Sequence, residues 1–123
     1  MRIIPTSLHG IADYVVGLFV IALPFILNLE VSASWFFVVI GVVAISYSLL
    51  TDYEFGVVRV LPILFHLFLD AVFGLLLLLG PWLLDLPQNA RWSSNVIGAL
   101  ALALVATTKI RAKGTAATHL KEK

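Results

Sequence analysis

The 123-residue chain contains no cysteine, so neither a disulfide nor a thiolate metal site can contribute to it. Charge is scarce as well. Asp, Glu, Lys and Arg make up 12% of the residues against 61% hydrophobic, and mean hydropathy is +1.05. A soluble domain of this size needs far more polar surface. Period-two alternation is missing from runs such as Phe73 to Leu79, which excludes a transmembrane β-barrel. Net charge is only +1, and the basic residues gathered near the C-terminus read as topology-setting charge that could also meet anionic lipid, with no nucleic-acid partner expected. No phosphate-binding glycine loop, nucleophile–base pair or other catalytic motif is present, so no enzyme is expected.

What the chain does have is four apolar runs, near 7–29, 34–51, 62–84 and 92–109. Each approaches the roughly 20 residues that cross a bilayer core as a helix. In lipid every backbone N–H and C=O must be satisfied within its segment, so the fold is expected to be all-α, an integral membrane four-helix bundle in a single domain over 1–123. Arg2, Arg59, Lys109, Arg111, Lys113, Lys121 and Lys123 fall on one side of this arrangement and Arg91 on the other. The positive-inside rule then puts both termini, the 52–61 connection and a polar tail at 110–123 in the cytoplasm, with the protein multi-pass in the cell membrane. Trp35, Trp82 and Trp92 flank the outer turns, as an aromatic belt would.

The two halves are copies offset by 57 residues. Arg2 pairs with Arg59, Pro5 with Pro62, His9 with His66, Asp13 with Asp70 and Gly17 with Gly74. Pro24 pairs with Pro81, Trp35 with Trp92, Gly41 with Gly98 and Thr51 with Thr108. Repeat one covers 2–57 and repeat two 59–114. Each holds an even number of spans, so the copies enter the membrane in the same direction. This predicts parallel tandem repeats about a pseudo-twofold axis along the membrane normal, not the inverted repeats of many transporters. Val31-Ser32-Ala33 weakly resembles a signal-peptidase site. Span one is nevertheless expected to be retained, because its repeat partner, span three, is internal.

His9, Asp13, Gly17 and Pro24 lie along one face of span one, and His66, Asp70, Gly74 and Pro81 repeat that stripe in span three. A carboxylate facing lipid is costly, so the stripes should turn inward, and small residues let backbones approach. Spans one and three are therefore expected to touch near Gly17 and Gly74, gathering two His and two Asp at the cytoplasmic end. Gly41 and Gly98 begin small-residue packing faces on spans two and four, continued by Ala44, Ser48 and Thr51 and by Ala101 and Thr108.

Several readings of the doubled pair are open. Each His bonds the Asp four residues on in its own helix, a purely structural role. Alternatively His9, Asp13, His66 and Asp70 hold a divalent metal such as Zn²⁺, Mn²⁺ or Fe²⁺. A proton or ion relay is a third reading, with bis-His haem ligation by His9 and His66 as a minor variant. Tyr14, Tyr47 and Tyr53 have no repeat partner, and interface anchoring accounts for the first and last. Association with a second copy or with another membrane protein, besides the bilayer itself, is the expected mode of action of a non-enzymatic protein of this kind.

Each half reads H-x3-D-x3-G-x6-P followed by an aromatic residue, with a Trp at the start of the next span. This resembles the bacterial SPW-repeat integral membrane proteins, named for a Ser-Pro-Trp motif. Here the motif stands as Leu23-Pro24-Phe25 and Gly80-Pro81-Trp82. The stretch from Tyr47 to Gly56 and the Arg59-Val60-Leu61-Pro62 that follows are similar to the inner linker of two-repeat members. The resemblance covers about residues 2–110. It implies a four-helix membrane protein and supplies no mechanism.

Overall fold

The computed structural model describes residues 3–108. Among the described residues there are four helices: α1 (Thr6–Ile26), α2 (Val31–Leu49), α3 (Ile63–Leu83) and α4 (Gln88–Thr107). All four are long and apolar enough to cross a membrane. The chain is an all-α four-helix bundle of the multi-pass membrane type, and much of its outer surface, including Leu18, Phe25, Phe68 and Leu83, is exposed apolar side chain. Hydroxyls on this surface return to their own helix: Ser46 donates to the Val42 carbonyl and Ser93 to that of Asn89. The tail at 110–123 lies outside the described residues, as does the end of the fourth run at Lys109.

The helix ends repeat as the sequence does. Pro5 and Pro62 stand at the N-caps with extended backbone, and their carbonyls accept the first helical bonds from the N–H groups of His9 and His66. At the other ends Asn28 (φ 58°) and Asp85 (φ 53°) take left-handed conformations. The N–H of Leu29 reaches the Pro24 carbonyl and that of Leu86 the Pro81 carbonyl, both at 2.9 Å. These are Schellman endings, and they stop α1 and α3 at Ile26 and Leu83, short of where hydropathy alone would end them. Helix α4 begins at Gln88, earlier than its apolar run, because its first turn is polar.

Spans one and three do not meet at their glycines. Gly17 packs on Gly41 within the first hairpin, and Gly74 on Gly98 within the second. A Cβ on Gly41 would lie 3.0 Å from the Gly17 carbonyl oxygen, and one on Gly98 2.6 Å from that of Gly74. The glycines therefore bring each helix to near-backbone contact with its own hairpin partner. Among the described residues, α1 and α3 make no backbone packing contact and lie diagonally across the bundle, while α2 touches α3 and α4 touches α1 lightly. The cause is angular drift. Eight residues beyond His9 on an α-helix, Gly17 has turned about 80° away from it. The stripe thus begins facing the diagonal and ends facing the hairpin neighbour.

At the His end, strand-like clamps join the hairpins. Ile4 pairs with Thr108, and Leu61 pairs with Thr51. The N–H groups of Ile3 and Ile4 reach the Thr107 carbonyl, and those of Val60 and Leu61 reach its repeat partner, the Leu50 carbonyl. The linker 52–61 folds back under the bundle. Its Val57 and Val58 N–H groups satisfy the Leu49 carbonyl at the end of α2, and Tyr53 is wholly buried.

Candidate metal centre

The clamps carry the threonines to the histidines. Thr51 Oγ1 lies 2.7 Å from His66 Nδ1, and Thr108 Oγ1 lies 2.6 Å from His9 Nδ1. Each threonine hydroxyl also donates its only proton to a helix carbonyl, Tyr47 for Thr51 and Leu104 for Thr108, both at 2.6 Å. A hydroxyl that has spent its proton can only accept. Both imidazoles therefore carry a proton on Nδ1 and donate it to threonine, which turns both Nε2 atoms toward the bundle axis.

There the Nε2 atoms meet the two carboxylates. His9 Nε2 lies 2.7 Å from Asp70 and 3.1 Å from Asp13. His66 Nε2 lies 2.7 Å from Asp13 and 3.0 Å from Asp70. The expected bond from each His to the Asp four residues on is thus the longer contact, and the shorter one crosses between α1 and α3. Both histidines are fully buried, the two aspartates nearly so, and the rings stand edge to face 5.7 Å apart. The four donor atoms all lie within 4.8 Å of one another, close enough to hold one metal ion. The interlocked rings share the same two carboxylates, so no slot for a porphyrin remains between them.

Hydrogen-bond bookkeeping defines what this cluster can contain. An imidazole Nε2 lone pair cannot face carboxylate oxygens at 2.7 Å without a positive particle between them. Two protons, one on each Nε2, give two imidazoliums against two carboxylates. One divalent ion gives the same total charge with both imidazoles neutral. Either filling leaves the buried site electroneutral, as its surroundings require. Zn²⁺, Mn²⁺ and Fe²⁺ all accept imidazole and carboxylate ligands. An Nδ1–H held by an oxygen acceptor is the usual second tie of a metal-binding histidine.

Two phenols complete the carboxylates' surroundings. Tyr47 donates to Asp70 Oδ1, and Tyr53 donates to Asp13 Oδ2 at 3.0 Å. Burial first, and then the Asp13 carboxylate, push the Tyr53 phenol well above the ordinary phenol range, so its proton stays in place to be donated. Thr6, at the start of α1, donates to the Glu54 carboxylate, and Tyr14 donates to the Phe55 carbonyl at 2.7 Å, so the linker is tied across the mouth of the site.

All four sequence-predicted ligands come together. Sequence reasoning missed Thr51, Thr108, Tyr47 and Tyr53. The threonines had left a signal, being polar residues kept in both copies, yet their small size suggested helix packing. The tyrosines had left none, since their repeat positions are Leu104 and Ile110.

Among known proteins, the family model of the SPW repeat domain matches residues 7–108. Neither the curated proteins nor the solved structures yield a match.

Proposed function

This chain belongs to the SPW repeat domain family, and for it we propose a non-enzymatic role as a membrane protein that binds one divalent metal ion at His9, Asp13, His66 and Asp70. The observation that carries this reading is the pair of threonine ties. They fix both imidazoles with Nε2 presented inward, toward two carboxylates, at one point. The same ties suit a doubly protonated imidazole, and what favours the metal is that two nitrogen and two oxygen ligand atoms converge at one point, with each histidine's second nitrogen held by an oxygen. The proposal extends to orientation: the site lies at the cytoplasmic end, both termini are cytoplasmic, and the repeats are related by a pseudo-twofold axis along the normal of the cell membrane. The charge bias of Arg2, Arg59 and the basic tail supports that orientation.

One observation favours a second reading. The four nitrogen–oxygen separations of 2.7–3.1 Å are hydrogen-bond lengths, so the proton-filled cluster is already satisfied. In that state it acts as a latch holding two hairpins whose first helices do not otherwise pack. A relay has less support. Among the described residues, the buried side chains beyond Asp13 and Asp70 on α1 and α3 are apolar, with no titratable group to carry a proton further out.

The experiment is metal analysis of the purified protein in mild detergent after exposure to Zn²⁺, Mn²⁺ or Fe²⁺. A His9→Ala/His66→Ala variant and an Asp13→Asn/Asp70→Asn variant run beside it, and the second preserves side-chain size if the first does not fold. The metal reading expects one ion per chain, lost in the variants. Wild-type protein without stoichiometric metal, or a folded variant that keeps it, would overturn that reading and leave the latch.

A further inference from the structure

Beside the cluster lies a cavity of about 20 Å³, lined by His9, Asp13, Asp70, Ser48, Ala101 and Leu104. A space of roughly 10–15 Å³ already admits one water. Its wall includes three of the four candidate ligands, so a molecule within it would sit against the same centre. Ser48 supplies the second observation. Its hydroxyl is 1% exposed and makes no hydrogen bond of ordinary length, with the Tyr53 phenol as its polar neighbour. The neighbouring Tyr53 phenol gives its one proton to Asp13. A buried hydroxyl left without a partner is costly, and native structures rarely leave one so without an occupant.

The repeat explains why the cavity is on this side. On α2, Tyr47 fills the space beside Asp70 and donates its phenol there. The equivalent residue on α4 is Leu104, which is smaller and carries no hydroxyl, and the equivalent of Ser48 is Val105. One flank of a doubled site is thus closed by a phenol, and the other is left open and lined by the Ser48 hydroxyl.

We propose that this cavity is an exchangeable ligand position of the metal centre, taking one neutral, water-sized oxygen donor, water itself, that accepts a hydrogen bond from Ser48. The proposal rests on the metal reading above. It gives the centre one position that no side chain holds, and such an open position is what distinguishes an exchanging site from a closed structural one.

The test uses the full chain in detergent loaded with Mn²⁺ and transferred to water enriched in oxygen-17, whose hyperfine coupling in the electron paramagnetic resonance spectrum reports a bound water. Wild-type protein should show that coupling. Leu104→Tyr, which supplies the phenol missing from the second copy, should keep Mn²⁺ and lose it. Leu104→Phe, which fills the same space without a hydroxyl, serves if Leu104→Tyr does not fold. Ser48→Ala should keep Mn²⁺ and change the coupling, through the loss of one hydrogen bond to the water. Bound Mn²⁺ with no coupling in the wild type, or a coupling kept in the folded Leu104 variant, overturns the open position and leaves the metal reading standing. Failure to bind Mn²⁺ at all overturns both.

Discussion

Replacing Thr51 by valine removes one hydroxyl and almost no volume. The hydroxyl accepts the His66 Nδ1 proton at 2.7 Å and donates to the Tyr47 carbonyl at 2.6 Å. That carbonyl keeps another partner, the Leu50 N–H at 3.2 Å, but the Nδ1–H of a wholly buried imidazole keeps none. Stranding a buried donor costs about 1–3 kcal/mol of stability. The imidazole can escape part of that cost by moving its proton to Nε2, where the Asp13 carboxylate accepts it at 2.7 Å. In doing so it places a proton where the ion must bind. Loss of such an outer tie typically lowers metal affinity about 10–100-fold, equivalent to about 1.4–2.8 kcal/mol. The expected outcome for Thr51→Val is therefore a destabilised protein that binds Zn²⁺ at least tenfold more weakly by calorimetry in detergent. Thr51→Ser should restore most of the affinity. Ser46→Ala, which removes a hydroxyl bonded only to its own helix on the exposed face, should change neither. Thr108→Val should match Thr51→Val, because it holds His9 in the same way. A Thr51→Val protein that is destabilised yet binds Zn²⁺ like the wild type would refute the reasoning, since His66 Nε2 would then not be a ligand.

Gly98→Ala should lower thermal stability by about 1–3 kcal/mol, because its Cβ would meet the Gly74 carbonyl oxygen at 2.6 Å and the Leu78 backbone nitrogen at 3.0 Å, and backbone cannot swing aside. Gly10→Ala should cost less, since the nearest atom there, at 2.8 Å, belongs to the Phe55 ring, which can rotate; thermal unfolding of both in one detergent checks the order. Tyr53→Phe should remove a hydrogen bond to a charged group, worth about 1.5–3 kcal/mol, with the ring packing kept; a melting temperature equal to wild type would show that the phenol–Asp13 contact is not made. Because the chain has no cysteine, Glu30→Cys and Val57→Cys each introduce a single label site at exposed positions. A membrane-impermeant maleimide should reach the first in intact cells and the second only after permeabilisation, and the opposite pattern would invert the proposed orientation.

How much of this was legible in the sequence depends on whether a residue obeyed the repeat. Helix count, helix order and the four His/Asp residues could be read because each occurs twice, 57 residues apart. Thr51 and Thr108 were equally visible as a pair, but a threonine near a helix end reads as small before it reads as a hydrogen-bond acceptor. Its partner lies across a clamp that only the folded chain closes. The choice of neighbours was misread for a different reason. Residues four apart share a face locally, yet each such step turns about 40°. A stripe from His9 to Gly17 therefore cannot serve one partner along its length. Side chains at its start reach the diagonal helix, and glycine at its end meets the hairpin partner. Tyr47, Ser48 and Tyr53 gave no sign of a place at the centre to a reading that searched for what the copies share, because they are where the copies differ. Duplication supplies a symmetric scaffold in which two histidines and two carboxylates must converge, since each half brings one of each. Identical halves, however, would surround that point identically. A phenol on one flank and Leu104 with the Ser48 hydroxyl on the other can arise only after the copies diverge. The shared residues thus build the centre, and the unshared ones determine what can enter it.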